Sequence, residues 1–376
     1  MERDLTTGSI GRNILKFSLP YFLSYFLQTL YGMADLFIIG QFNGVASTTA
    51  VSIGSQVMHM ITVMIVGIAM GTTVMIGKSV GAKQKKETSK IIGNTVSLFV
   101  CLSVVLTVVL LFFVHPIVRI MSTPQQAVEG TTAYLTICFA GIPLITAYNI
   151  ISSIFRGLGD SKSPMYFIAV ACGVNIVLDY VFIGGLHFGA SGAALGTTLA
   201  QTISVIVALI AIRKKDTGIS LKRSDLKPEG KTLKNILGIG IPISLQDGFI
   251  QISFIVITII VNQRGLNDAA AVGIVEKIIS FVFLVPSSML SAVSAIAAQN
   301  IGAGKDERAT KTLKYAIMIS MSFGLCVAVL MQFISNSVVG IFTSDAVVIY
   351  MGSQYIRSYI WAVSYTHLTL PTILRV

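Results

Sequence analysis

The chain alternates long apolar stretches with short polar connections. Apolar runs of roughly 20 residues recur along its length, and a run of that size is enough for a helix to cross the hydrocarbon core of a bilayer. The pattern predicts ten membrane spans, at residues 14–41, 48–77, 91–114, 131–155, 164–185, 190–212, 236–262, 269–298, 312–335 and 346–363. The chain is therefore predicted to be an all-α polytopic membrane protein.

Composition and charge agree with this prediction. Hydrophobic residues make up 54% of the chain and charged residues 11%, whereas soluble domains carry about 25% charged residues. The net charge of +11 does not indicate a nucleic-acid partner, because the basic residues lie mainly in connections on one side, such as 78–90, 213–234 and 305–314. By the positive-inside rule, this asymmetry predicts a cytoplasmic N-terminus and a lipid bilayer as the surroundings of the protein.

The sequence repeats itself at an offset of 221 or 222 residues. The matched pairs are Pro20 with Pro242, Gly81 with Gly302, and Tyr134 with Tyr355. A register held over several elements predicts two homologous bundles. Because six spans precede the repeat, both bundles have the same orientation, which suits a transporter that rocks around a site between its halves.

The repeat also predicts the domain boundaries. We expect a first lobe of six helices at 1–212, a basic cytoplasmic linker at 213–235, and a second lobe with four of its six helices at 236–363. Residues 364–376 resemble nothing in the first half. We therefore expect a non-native tail there and two spans missing from an expected twelve.

Asp35 lies inside the first predicted span. A carboxylate at the centre of a bilayer costs roughly 2.5–3.5 kcal/mol on insertion scales, so such a residue is a candidate for ion or proton coupling. The alternative is that Asp35 lies near the membrane interface and is solvated.

Two pairs of polar residues support the coupling hypothesis. Asn175 and Asp179 are four residues apart, as are Tyr31 and Asp35, and this spacing places each pair on one helix face. Two carboxylates that face each other in a low-dielectric lobe cannot both ionise cheaply, so a proton held there can be exchanged for a cation. Their oxygens also suit Na⁺, and the sequence leaves the choice between H⁺ and Na⁺ open.

Other polar or small residues in the spans have competing interpretations. Asp247 either faces a central cleft, where it attracts cations, or lies in water near the cytoplasmic side. Glu276 and Lys277 are adjacent and are expected to pair with neighbouring spans rather than couple ions. Gly192 and Gly196 are expected to allow close helix packing.

The cysteines and histidines indicate no metal site. The four cysteines lie in apolar runs without CxxC spacing, so we expect small core residues rather than a metal site or a disulfide framework. We expect His59 to be a hydrogen-bonded core residue.

Several stretches carry a family resemblance. They are LPYFLSYFLQTLYGMADLFIIGQ, FRGLGDSKSPM, VNIVLDYVFI, FGASGAALGTTLAQ and SAVSAIAAQNIGAGKDERA. In this ordered set, the chain resembles the multidrug and toxic compound extrusion (MATE) family, in its prokaryotic DinF-like branch, over residues 10–363. The resemblance implies a twelve-helix, non-enzymatic antiporter of the bacterial cytoplasmic membrane. It implies export of small hydrophobic organic cations in exchange for H⁺ or Na⁺, with no other cofactor and as a monomer.

The resemblance also assigns residues. The family's cation-coupling cluster matches Asp35, Asn175, Asp179 and Thr197, which would also be the ligands of any Na⁺. We place Tyr31, Asn149, Gln201 and Asp247 around it as supporting residues of the cavity, and Pro20 as the point where the first span bends. The NorM-like branch has an acidic residue where this chain has Ile250 and Gln251, which argues against a sodium site in the second lobe.

Two other functions remain open at this point. Relatives in the same superfamily flip lipid-linked oligosaccharides, but a cavity for pyrophosphate head groups would be lined by several basic residues. Apart from Lys16 and Lys314 in the first residues of their spans, the predicted spans contain only Lys277 and Arg357. The other alternative is a truncated fragment that does not transport.

Overall fold

The computed structural model describes residues 4–214, 221–262, 264–343 and 345–366, and these residues are almost entirely helical. Their α-helices are α1 Ile10–Phe42, α2 Val45–Gly81, α3 Lys85–Phe112, α4 Val114–Ile120, α5 Val128–Ala140, α6 Ile142–Gly157, α7 Lys162–Asp179, α8 Gly189–Lys214, α9 Gly230–Asn262, α10 Leu266–Gly302, α11 Asp306–Gly340 and α12 Ala346–Thr366. Short 3-10 turns lie at Gln125–Ala127 and Arg223–Leu226, and a π-helical segment at Tyr180–Gly185.

The all-α prediction is confirmed, but the span count differs slightly. Within the described residues, eight helices are long and apolar enough to cross a membrane, or nine if a bent pair counts as one span. That pair is the predicted span 131–155, which breaks at Gly141 with a bend of 50°. Pro143 follows the break and has no N–H to continue the helical hydrogen bonds. The tenth predicted span coincides with α12, which is not among these eight or nine.

Some sequence expectations are wrong in detail. Cys101 and Cys326 are exposed, and only Cys138 and Cys172 are buried. His59 is exposed rather than a core residue. An apolar run in a membrane protein has a lipid-facing side as well as a packed side, and hydropathy alone does not separate the two. The predicted tail 364–376 lies mostly outside the described residues.

Helix α1 packs against both halves of the molecule. Its first turns bury Ile14, Phe17 and Tyr21 against Met289 and Ile296 of α10, and the hydroxyls of Tyr25 and Ser291 lie 2.8 Å apart. Its later turns pack on α7. A change in the shape of α1 would therefore alter its packing against both bundles.

One end of the molecule is closed by contacts between the bundles. We call it the basic end, because Lys83 and Lys305 lie in the two connections there. The amide of Leu5, which is fully buried, donates to Gln299 Oε1 at 3.3 Å, and Gln299 Nε2 donates to the carbonyl of Gly157 at 3.1 Å. The segment before α1 is thus bonded to the second bundle, next to the point where Gln299 contacts the first bundle.

The closest backbone contacts at the basic end are reciprocal. A Cβ added at Gly81 would overlap the carbonyl of Gln299, and a Cβ at Gly302 would overlap the carbonyl of Lys78. Both pairs of residues are related by the offset of 221 found in the sequence. The ends of α2 and α10 therefore touch through a pseudo-twofold arrangement that only glycine permits.

Towards the opposite end, α2 and α10 separate. Gln56 and His59 of α2 are exposed, as are Gly273 and Lys277 of α10, and Lys277 is close enough to His59 to act on it electrostatically. The close glycine contacts of the basic end are thus replaced at this end by exposed polar residues, and we call this part of the junction between the bundles the cleft.

The linker between the bundles is docked onto α3. Glu229 receives a salt bridge from Lys90 at 2.8 Å, and its amide donates to Asn94 Oδ1 at 2.6 Å. Lys90 and the Thr232 hydroxyl, which bond the Glu229 carboxylate, hold its pKa below the usual value. Helix α9 begins at Gly230, within the stretch 213–235 that the sequence predicts as the linker.

Widening the glycine contact should open the basic end. In a background without the four native cysteines, Gly302→Val should raise thiol labelling of a Ser291→Cys reporter, which is 2% exposed in the closed state. Overpacking costs about 1–3 kcal/mol, so we expect a roughly five- to hundredfold increase in labelling. Gly273→Val, on the same helix with open space around it, is the matched control, and equal labelling in both variants would contradict the contact.

Loosening the linker should expose it to protease. Asn94→Ala removes the acceptor of the Glu229 amide, a loss of about 1 kcal/mol, so trypsin should cut near Lys222 and Lys227 about fivefold faster. Ser89→Ala, whose hydroxyl bonds only within α3, should leave the rate unchanged. If Asn94→Ala is cut at the wild-type rate, the docking does not protect the linker.

Candidate functional site

Three helices of the first bundle bring the four candidate coupling residues together. Asp35 projects from the second half of α1, Asn175 and Asp179 from the last turns of α7, and Thr197 from α8. Asp35 is 3% exposed and Asp179 is fully buried. The alternative that Asp35 is solvated is therefore wrong for this structure.

One hydrogen bond ties the cluster across helices. The Thr197 hydroxyl donates to Asp35 Oδ2 at 3.3 Å, joining α8 to α1. The Asp35 carboxylate also lies close enough to Asp179 and Asn175 to interact with both. Within the described residues, however, Asp35 Oδ1, both carboxylate oxygens of Asp179 and both amide atoms of Asn175 are buried without a well-aligned hydrogen bond.

This lack of hydrogen bonds is costly unless a proton or cation is present. A buried polar atom without a partner costs about 1–3 kcal/mol, and more if it is charged. Two buried carboxylates close together lower that cost by holding a proton between them or by binding a cation. The arrangement can therefore exchange one positive charge for another.

Gly196 makes room for Asp179, and the sequence reasoning missed this role. A Cβ at Gly196 would overlap Asp179 Oδ1, so the carboxylate lies against the bare backbone of α8. We had assigned Gly196 and Gly192 to helix packing alone, and Gly192 does pack against Phe182. Gly196 directly precedes the candidate residue Thr197 in the sequence, and this neighbourhood was the available sign that Gly196 lies at the site.

The helix changes geometry directly after Asp179. The π-helical segment Tyr180–Gly185 continues α7 with wider turns. Such segments are rare and are frequent at functional sites, because they shift the direction of the flanking side chains. Periodicity in an apolar run gives no sign of it.

Two supporting residues and two unpredicted ones surround the cluster. Tyr31 interacts with both Asp35 and the buried Gln201. Tyr134 and Cys138 of α5 also lie near Asp35, and the hydroxyls of Tyr134 and Ser55 are 3.1 Å apart. The carboxylate thus lies among groups contributed by α1, α5, α7 and α8.

The remaining predicted residues have no hydrogen bond to the four cluster residues within the described part of the chain. The Asn149 amide donates to Ile145 within its own helix at 2.8 Å. Asp247 is half-buried on α9, next to Gly248, which faces Met64 of α2. Pro20 is buried inside α1, and the Ser24 hydroxyl donates to its carbonyl at 2.8 Å.

The described residues offer little support for a transition-metal site. No group of three or more His, Cys, Asp and Glu side chains that could hold a metal ion occurs among them. The cluster offers two carboxylates, one amide and one hydroxyl. These oxygens suit Na⁺ rather than a transition metal.

Comparison with known proteins agrees with this geometry. The family model described as MatE matches the chain twice, at residues 20–181 and 242–372. The chain belongs to the MATE family. The starts of the two matches differ by 222, as the repeat does, and the second match runs past residue 363, where we expected the resemblance to end.

Named relatives and solved structures are transporters. The chain is 28% identical over 361 residues to "Probable multidrug resistance protein YoeA" of Bacillus subtilis, covering 94% of this chain and 78% of that protein. It is 25% identical over 353 residues to "Multidrug export protein MepA" of Staphylococcus haemolyticus, covering 93% and 77%. It is thus a multi-pass MATE transporter.

Two solved structures show the same fold. A MATE family transporter of the MOP superfamily in an outward-facing conformation matches with a TM-score of 0.89 and 25% identity, covering 98% of this chain and 82% of that one. A MOP superfamily transporter from Pyrococcus furiosus, whose binding pocket of reverse polarity suggests a different function, matches with a TM-score of 0.90 and 26% identity over the same shares.

Filling the space at Gly196 should disable the cluster. Gly196→Ala should displace the Asp179 carboxylate at a cost of about 1–3 kcal/mol and abolish ethidium efflux from cells at equal expression. Gly173→Ala, on α7 with no atoms near the added Cβ, should transport normally. Normal efflux by Gly196→Ala would show that the position of Asp179 does not matter.

Proposed function

We propose that the protein is a secondary antiporter that exports small hydrophobic organic cations in exchange for H⁺ or Na⁺ by alternating access. The observation that carries the proposal is the pair Asp35 and Asp179, buried side by side in the first bundle with one aligned hydrogen bond, from Thr197, among the described residues. A site with two carboxylates and few partners binds either a proton or another cation. That competition is what an antiporter requires.

Asp35, Asn175, Asp179 and Thr197 form the coupling site in this proposal. A proton or Na⁺ entering it neutralises the carboxylates and displaces a cationic compound. Tyr31 and Gln201 line the same region, and Asn149 and Asp247 support the cavity from farther away. No other cofactor is required, and no chemical conversion of the compound takes place.

The driving force is sufficient for such an exchange. One charge that moves across 100 mV releases about 2.3 kcal/mol, which supports somewhat under two decades of concentration gradient. The coupling site therefore needs to bind only one charge per cycle.

The distribution of basic residues supports the proposed orientation. With the N-terminus and the basic end in the cytoplasm, the closed contacts around Gly81 and Gln299 face inward and the cleft opens outward. The similarity to an outward-facing MATE family structure supports this assignment. We place the protein in the bacterial cytoplasmic membrane, as a monomer with residues 1–212 and 236–363 as the moving lobes.

Pro20 provides a place for α1 to bend. Proline removes one helical hydrogen bond and weakens the helix around it. Protonation of Asp35 would weaken its bond from Thr197 and allow α1 to bend at Pro20. Because the first turns of α1 pack on α10, bending would loosen the closed end while it narrows the first bundle.

The polarity of the cavity favours this function over lipid-linked oligosaccharide flipping. The first bundle presents Asp35 and Asp179, and the second presents Asp247 and Glu276 on helices near the cleft. Lys277 is the basic residue exposed there. Polarity is the property to examine, since a structural neighbour is described as having a binding pocket of reverse polarity, and in this proposal the four acids make the cavity attractive to cations.

The test uses purified protein in liposomes. Wild-type protein should drive ethidium out under an imposed pH gradient, an imposed Na⁺ gradient, or both, and each gradient is applied separately to identify the ion. Asp35→Asn should reduce gradient-driven efflux to the level of empty liposomes, because the charge that exchanges is gone. Asp306→Asn, an exposed carboxylate at the start of α11, is the matched control.

Several outcomes would overturn parts of this proposal. Transport by Asp35→Asn at the wild-type rate removes Asp35 from coupling. Failure of wild-type protein to move any organic cation, with transbilayer movement of a lipid-linked sugar instead, favours the flippase. Inactivity towards both classes supports the interpretation of a non-transporting fragment.

A further inference from the structure

The second bundle contains an acidic residue that the coupling cluster does not use. Glu276 lies on α10, where the Thr258 hydroxyl of α9 approaches its carboxylate at 3.5 Å. Tyr355 and Tyr359 of α12 lie near enough for the carboxylate to act on both electrostatically. Three helices of the second bundle thus meet around one carboxylate.

The internal repeat gives this position meaning. The residues related to Glu276 and Tyr355 by the offset of 221 are Ser55 and Tyr134, whose hydroxyls are 3.1 Å apart in the first bundle. In that bundle the carboxylate near the tyrosine comes from Asp35 of α1. In the second bundle it comes from Glu276. Each half therefore places one acidic residue beside the tyrosine at the equivalent repeat position, but the acidic residue comes from a different helix in each half.

The surroundings of Glu276 differ from those of Asp35 in a way that selects the ligand. The rings of Tyr355 and Tyr359 lie next to each other, tilted by 39° at a centroid distance of 5.6 Å. A carboxylate together with electron-rich aromatic faces attracts an organic cation more specifically than a bare metal ion, since cation–π contact adds to charge attraction.

This position is not sealed inside the second bundle. The side chains of Thr258, Glu276, Tyr355 and Tyr359 are all partly exposed. Lys277, the neighbouring residue, is exposed on another face of α10 and acts on His59 across the cleft. In the part of the chain that the structure describes, no ion pair within 4 Å joins Glu276 to a basic residue.

We infer that Glu276, Tyr355 and Tyr359 form a subsite in the second bundle for the positively charged group of the transported compound. The carboxylate supplies the opposite charge, the two rings contact the cation through their faces, and Thr258 orients the carboxylate. The inference rests on the proposed export of organic cations and adds where such a compound is held. The coupling ion and its cargo then occupy different bundles.

The test is equilibrium binding of ethidium to purified protein in detergent, followed by fluorescence, with no gradient applied. To remove binding at the first bundle, the measurement uses an Asp35→Asn, Asp179→Asn background. In this background Glu276→Gln should weaken binding about tenfold or more. Tyr359→Ala should also weaken it, whereas Tyr359→Phe, which keeps the ring, should bind like its parent.

The controls separate this inference from the proposed function. Glu129→Gln, an exposed acid in the first bundle, should not change the affinity. If wild-type protein binds ethidium but Glu276→Gln in the double-variant background binds as tightly as its parent, the subsite is wrong and the antiporter proposal stands. If wild-type protein binds no organic cation, both are wrong. Should Glu276→Gln fail to fold, equal affinities of Tyr359→Ala and Tyr359→Phe would overturn the subsite.

Discussion

The cost of keeping two carboxylates in the interior of the first bundle is the constraint from which the other features follow. Asp35 and Asp179 are almost completely buried, and only Thr197 gives them a well-aligned hydrogen bond among the described residues. A core of apolar side chains would be more stable. In the proposed function a bound proton or cation offsets this cost, which would link the stability of the bundle to its ligand state.

Helix α1 transmits that link to the rest of the molecule. It carries Asp35 near one end, Pro20 nearer the other, and between them the Tyr25 hydroxyl that contacts Ser291 of the second bundle. Packed interiors resist gradual deformation, so a change at the carboxylates is more easily absorbed at the proline than spread along the helix. In the proposed transport cycle, the glycine contacts at the basic end would let the two bundles meet closely in one state without side chains that lock them together.

Much of this was predictable from sequence, for physical reasons. Hydropathy shows a membrane helix clearly, so the all-α fold and nearly all of the spans follow from it. The four candidate coupling residues were named from the resemblance, and the i, i+4 spacing of Asn175 and Asp179 supported them.

The role of Gly196 was missed because its neighbour is a side chain from another helix. The π-helical segment after Asp179 and the exposure of His59 depend on how helices pack, which apolar periodicity does not record. The break at Gly141 was missed although Gly141 and Pro143 were visible as residues that interrupt a helix.

The contacts of Gly81 with Gln299 and of Gly302 with Lys78 are reciprocal, as in the interface of an isologous dimer. Here both halves of that interface belong to one chain. In a true dimer, any substitution in this patch appears twice and is felt twice. In a fused pair it appears once, and the partner surface keeps its original form. The two halves could therefore diverge, with an acid on α1 in one and on α10 in the other, while the surface that joins them stayed matched.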